Sequence, residues 1–189
     1  MINDQLRYPK CVVFGIGNES RGDDAAGPIL IERFKLKLEE IDLKDSFTFI
    51  SDFQLQIEHS LDLAHQDIAL FIDAGVPPAV LDNEPFSLTR IIPTNIRTGL
   101  SHALSPQELM GIAKDFFVKN ESDTKTPVAL IKSSKLPEAY LLCIRGYEFE
   151  LGSPLSSECK KNIDRSFEAL VLWLKNMLMA EPGDLHCTR

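Results

Sequence analysis

Several things are missing from this chain, and each absence removes a class of function. Cationic side chains are outnumbered, with 20 Lys and Arg against 28 Asp and Glu for a net charge of −8. That balance disfavours phosphate-rich nucleic acid and anionic membrane surfaces as partners. No apolar run approaches the about 20 residues that span a bilayer, and the opening MINDQLRYPK lacks the apolar stretch of a secretory signal. Cytoplasm is the expected location. The four cysteines include no C-x-x-C pair, which argues against structural zinc and thioredoxin-type redox chemistry. Cys11 and Cys143 lie in apolar runs, where cysteine acts as a small buried hydrophobe; Cys159 falls in a helical pattern and Cys187 in the tail. No serine or cysteine stands out as a nucleophile, and no internal repeat or domain boundary interrupts the chain. Its 189 residues read as one domain, residues 1–189, with residues 1–10 and 181–189 as loose tails.

What is present is an alternation of strand-like and helix-like patterns, the mark of a layered α/β domain. Short apolar runs predict strands over residues 11–16, 47–51, 68–72, 86–92 and 139–145. The run at 68–72 is continuous and ends in Asp73-Ala74-Gly75, as a parallel strand buried on both faces should. Helical periodicity predicts helices over 27–38, 55–64 (with Ile57, Leu61 and Ala64 on one face) and 156–179. Ser105-Pro106-Gln107-Glu108 is a helix start with a capping box, and Leu109, Ile112, Ala113 and Phe116 are its core face. In the last helix Ile163, Phe167, Leu170, Val171, Leu174 and Met177 recur at helical spacing, with Trp173 nearby, and read as core. Residues 119–135 are polar and read as a surface connection, with a possible short strand at 128–131.

Residues 11–27, CVVFGIGNESRGDDAAG, hold the densest information. A strand runs into a glycine loop and then a helix, as in dinucleotide-binding folds, but Ser20 occupies the place of the third fingerprint glycine. Asp23 and Asp24 also stand where a pyrophosphate would need the positive end of the helix. One of the pair fits a helix cap; the other is left to be explained by a cation or a proton. In open α/β sheets, function gathers at the carboxyl ends of the parallel strands. Asp24 follows the first strand and Asp73 ends the third, so both belong on that rim. His102, just before the capped helix, can reach it. Two carboxylates and an imidazole suit a divalent cation such as zinc or nickel. Asp73 equally fits a turn residue, and His102 a hydrogen-bonded loop histidine. His59 and His65, on the short second helix, read as solvent-facing, and His186 as a tail residue.

Three segments, taken in order, resemble the hydrogenase maturation proteases: G-I-G-N-E-S-R-G-D-D-A-A-G-P (15–28), I-D-A-G (72–75) and S-H-A-L-S-P-Q-E-L (101–109). R-G-Y-E-F-E-L-G-S-P-L-S (145–156) is similar to that family's last strand and its turn into the final helix. The resemblance runs over residues 11–179. It implies a three-layer α/β/α sandwich around a five-stranded, mixed but mostly parallel sheet. It also implies a cytoplasmic endopeptidase that removes the C-terminal extension from the precursor of a [NiFe] hydrogenase large subunit. Metal contacts then fall on Asp24, Asp73 and His102, with Asp24 and Asp73 as the candidate catalytic acids. The nickel is the substrate's own (in isolation the site could take another divalent ion such as zinc), and no organic cofactor is implied. Either the captured cation polarises the scissile carbonyl or a water, or one of the acids is a general base. The chain departs from the family at Ala25, at Ser51-Asp52-Phe53-Gln54 where a glycine pair is common, and in the length of 119–135. A non-catalytic metal-sensing chaperone is a second reading. Peptidyl-tRNA hydrolase, with a similar opening strand and loop, is a third, disfavoured by the net charge and by Asp23 and Asp24 standing where it needs histidine.

Overall fold

The structure is a computed structural model and describes residues 8–81, 83–94, 104–119 and 135–179. Five strands form one sheet: β1 (Cys11–Ile16), β2 (Phe47–Asp52), β3 (Ile68–Gly75), β4 (Phe86–Arg90) and β5 (Glu138–Arg145), in the order β2-β1-β3-β5-β4. All neighbours are parallel except β4, which runs antiparallel to β5. Every residue of β1 is buried, as are the first five of β3. These are the continuous apolar runs that a strand covered on both faces requires. The chain leaves β1 for β2 on one side and returns to β3 on the other, so the strand order reverses between β1 and β3. The crevice at their carboxyl ends is where ligands of open α/β sheets sit.

Helices cover both faces, which gives three layers. On one face α1 (Ala26–Glu40) and α3 (Ser157–Met179) pack Leu30, Ile31, Phe34, Ile163, Leu170 and Leu174 against Val13, Leu70, Ile72 and Leu142. On the other, α2 (Pro106–Lys119) sets Leu109, Met110, Ala113 and Phe117 against Val12, Phe14, Ala69 and Phe71. The capping box forms as expected: Glu108 takes the Ser105 amide at 2.8 Å, and Ser105 Oγ takes the Glu108 amide at 3.2 Å. Among the described residues no helix is long and apolar enough to cross a membrane.

The helix expected over 55–64 is corrected. Only Ile57–Ser60 forms a 3-10 turn, followed by irregular turns to residue 65. Its expected core face is exposed at Ile57 and Leu61, while Leu55, Ser60 and Leu63 are buried. Leu55 is used before any helix can start, because it makes an isolated antiparallel bridge with Leu104. That bridge ties the lead into α2 to the carboxyl rim of the sheet. The loose lead expected over 1–10 is fixed at its inner end, where Lys10 donates its amide to Asp67 at 2.8 Å. Residues 1–7, 120–134 (with the expected short strand at 128–131) and 180–189 lie outside the described residues.

The glycines of the 15–27 segment serve close approach. A Cβ at Gly27 would stand 2.4 Å from the Ile16 carbonyl oxygen and 2.7 Å from that of Ile72, both main-chain atoms that cannot swing aside. The first turn of α1 therefore lies directly on β1 and β3. Gly27→Ala is expected to lower the midpoint of thermal unfolding by several degrees, for a loss on the order of 2 kcal/mol, measured by calorimetry on the two proteins.

Candidate functional site

Between β1 and α1 the chain forms a 3-10 turn, Gly22–Ala25, and this turn separates the two neighbouring aspartates by environment. Asp23 is 0% exposed. Its Oδ2 accepts the amides of Tyr147 (2.7 Å) and Glu148 (3.1 Å) and the hydroxyl of Ser156 (2.8 Å), and its Oδ1 accepts the Ser156 amide (2.7 Å). Ser156 Oγ in turn accepts the Cys159 amide at 3.0 Å and so caps α3. Asp23 is thus a buried carboxylate kept charged-compatible by four donors, stapling the turn after β5 to the turn after β1. The helix cap anticipated for one of the pair is absent from α1, whose N-cap Ala25 makes no side-chain bond.

Asp24 turns the other way. It is half-buried, and its Oδ2 accepts the Asn18 amide at 2.9 Å. The loop must pass very close to it: a Cβ at Gly17, whose φ is +136°, would fall onto the Asp24 carbonyl oxygen. Asp73, in β3, is also half-buried and takes the amide of Ala74 on Oδ1 at 2.8 Å. Burial pushes its carboxyl up to about 7, the Ala74 amide opposes the rise, and the charge of Asp24 adds to it. The two acids therefore share one field on one rim. Cys143 stands beside Asp73 across β5, its thiol pushed up to about 12 by burial and by the Asp73 charge, which makes it an inert wall rather than a nucleophile.

Sequence reasoning missed two groups on this rim. Asp52 closes β2 one strand from Ile16, and Asp73 lies in the last three residues of β3, so an acid near the same end of a parallel strand was the available signal. Its Oδ2 lies 3.6 Å from His59 Nε2. His59 is not solvent-facing as expected: its side chain is 12% exposed and its ring meets Phe14 edge-on. Its Nδ1 accepts the Gln56 amide at 3.0 Å, so the neutral ring carries its proton on Nε2, toward Asp52. Its Nδ1 lone pair is therefore taken by the Gln56 amide. His65 is exposed, as expected. His102 and His186 lie outside the described residues, and among the described residues no three His, Cys, Asp or Glu side chains gather as a metal-binding group.

The arrangement of the five-stranded sheet and its covering helices is that of known structures. The [NiFe] hydrogenase maturation protease HycI from Thermococcus kodakarensis superposes with a TM-score of 0.60 at 20% identity, over 89% of this chain and 94% of its own. HycI from Escherichia coli, an endopeptidase, gives 0.56 at 18% over 94% and 99%. The hydrogenase maturating endopeptidase HybD from E. coli gives 0.53 at 17% over 88% and 93%. The chain has the maturation-protease fold. No protein-family model matches the sequence, and no curated protein does. Within the fold shared with HycI and HybD, this chain keeps one of its paired aspartates for architecture and frees the other toward Asp73.

Two measurements test this division. Asp23→Asn keeps an acceptor at only one of the two oxygen positions, so at least the Ser156 amide is left facing an NH2 group. It is expected to destabilise the protein by about 3 kcal/mol. Asp24→Asn, which keeps an acceptor for the single Asn18 amide, is expected not to destabilise it in the same denaturant titration. For Asp73, the unfolded chain gives up its proton near pH 4 and the folded one only near 7. Folded stability therefore falls as pH rises through that window. Asp73→Asn, which cannot titrate, is expected to exceed the wild type by up to about 4 kcal/mol above pH 7 and to match it near pH 4. A difference independent of pH would contradict the burial of this acid.

Proposed function

We propose that this protein is an endopeptidase that removes the C-terminal extension of a nickel-loaded [NiFe] hydrogenase large-subunit precursor. In this reading Asp24, Asp73 and His102 grip the nickel that the substrate carries. The observation that carries it is the meeting of Asp24 and Asp73 on one rim: two half-buried carboxylates from separate segments, with Asp73 pushed up to about 7 chiefly by burial and the charge of Asp24 adding to the rise. Such a pair is poorly solvated and poorly partnered, and a divalent cation between them relieves both penalties at once. The fold shared with HycI and HybD supports the same reading.

The proposal places His102 as the third ligand. It precedes Leu104, and the Leu104 amide donates to the Leu55 carbonyl at 3.3 Å on the loop that leaves the carboxyl end of β2. His59 holds the Gln56 amide on Nδ1 and lies beside Asp52 of β2, so His102 is the imidazole proposed for the pair. Carboxylates and one imidazole hold nickel reversibly, which suits a site that must inspect a metal and let it go, where thiolates would keep it. The held cation supplies a Lewis acid beside the scissile bond, able to polarise the carbonyl or a water. Asp73 then serves in its charged form, since the cation displaces its proton.

Incubating the protein with nickel-loaded and nickel-free precursor and weighing the products tests this directly. The loaded precursor is expected to lose its C-terminal extension and the nickel-free one to remain whole. Asp73→Asn, Asp24→Asn and His102→Ala are each expected to reduce cleavage at least a hundredfold. Precursor that binds but never changes mass contradicts the peptidase reading, as does full-rate cleavage without nickel.

A further inference from the structure

β2 is an edge strand, and among the described residues its outer side pairs with no other strand. The Gly17 amide donates to the Asp52 carbonyl at 3.1 Å. In a parallel ladder this fixes which residues of β2 look inward: Thr48, Ile50 and Asp52 turn their main-chain groups to β1. Phe49 and Ser51 consequently turn theirs outward, and among the described residues no strand pairs with that side. The register with β1 runs unbroken from Phe47 to Asp52, so no bulge twists the edge away; β2 contains no proline, and its one charged side chain, Asp52, stands at its last position. These are the devices by which edge strands escape pairing. The strand points toward the rim that carries Asp24 and Asp73, and it is followed by Phe53, a phenylalanine that is 69% exposed.

We propose that the outer edge of β2 is the docking strand for an extended peptide segment of the protein substrate, which adds to the sheet alongside Phe49 and Ser51. The proposal rests on the peptidase reading above and deepens it. A row of unpaired amides and carbonyls at every second residue matches one chemistry, the main chain of another extended segment, and it places no demand on that segment's side chains. Phe53 offers the apolar contact where the segment leaves the edge for the rim. Strands lie about 4.8 Å apart, so Asp73 on β3 is roughly 14 Å from an added strand, or about four to five extended residues at 3.3 Å each. The bond to be cut then lies that far along the substrate from the paired segment.

Amide hydrogen exchange tests this on the full-length protein, using the nickel-loaded hydrogenase large-subunit precursor from the same genome as probe. In the wild type the Phe49 and Ser51 amides are expected to slow at least tenfold when precursor is added. Ser51→Pro removes an outward donor without breaking a bond to β1, so the amides of β1 that face β2 keep their protection. Its affinity for precursor is expected to fall at least tenfold, with no change in nickel binding. A complex that leaves both amides exchanging freely overturns the docking strand alone. So does protection that appears without precursor, through a dimer that Ser51→Pro dissociates, since the edge then belongs to a second copy. Protection of both amides with the precursor left uncut upholds the docking strand and defeats the peptidase reading. The absence of any complex defeats both.

Discussion

The site depends on how closely one short segment lies against the sheet. Gly17 passes the carbonyl of Asp24, and Gly27 sets the first turn of α1 against the carbonyls of Ile16 and Ile72, at distances no side chain would allow. Asp23 locks that segment from below with four hydrogen bonds to the strand-to-helix turn at 147–156. Once those constraints are met, Asp24 has little choice of position. It is held at the crevice where the strand order reverses, facing the acid at the end of β3.

The cost of that arrangement falls on Asp73. A protein selected for stability alone would not place a carboxyl where burial and a neighbouring charge both oppose its ionisation. Strain of this kind, electrostatic rather than torsional, is the usual signature of a site waiting for a group that relieves it. The surroundings bear this out by contrast. Asp23, buried more deeply, is saturated with donors, and His59 takes the Gln56 amide on Nδ1. At Asp73, neighbouring charge instead adds to the burden of burial.

Much of this was legible in the order of residues. The runs at 11–16 and 68–72 became the central strands because nothing polar interrupts them, and Ser105-Pro106-Gln107-Glu108 capped its helix as its chemistry requires. The placement of Asp24 and Asp73 on one rim followed from strand direction. Other features were hidden because they depend on partners far along the chain. Nothing near Asp23 announces that its donors sit at Tyr147, Glu148 and Ser156. The pattern at 55–64 has helical spacing, yet Leu55 is bridged to Leu104 and the helix never begins. His59 looked exposed on that supposed helix; with the chain turned differently, its ring tucks against Phe14.

The central claim is that Asp24 and Asp73 act as one electrostatic unit. Carbon-13 NMR of the aspartate carboxyl groups, titrated in the wild type and in Asp24→Asn, measures it most directly. The account requires Asp73 to titrate near 7 in the wild type and clearly lower once Asp24 is neutral. An Asp73 that titrates near 4 in both proteins would mean that the two acids do not share a site, and the account would be wrong.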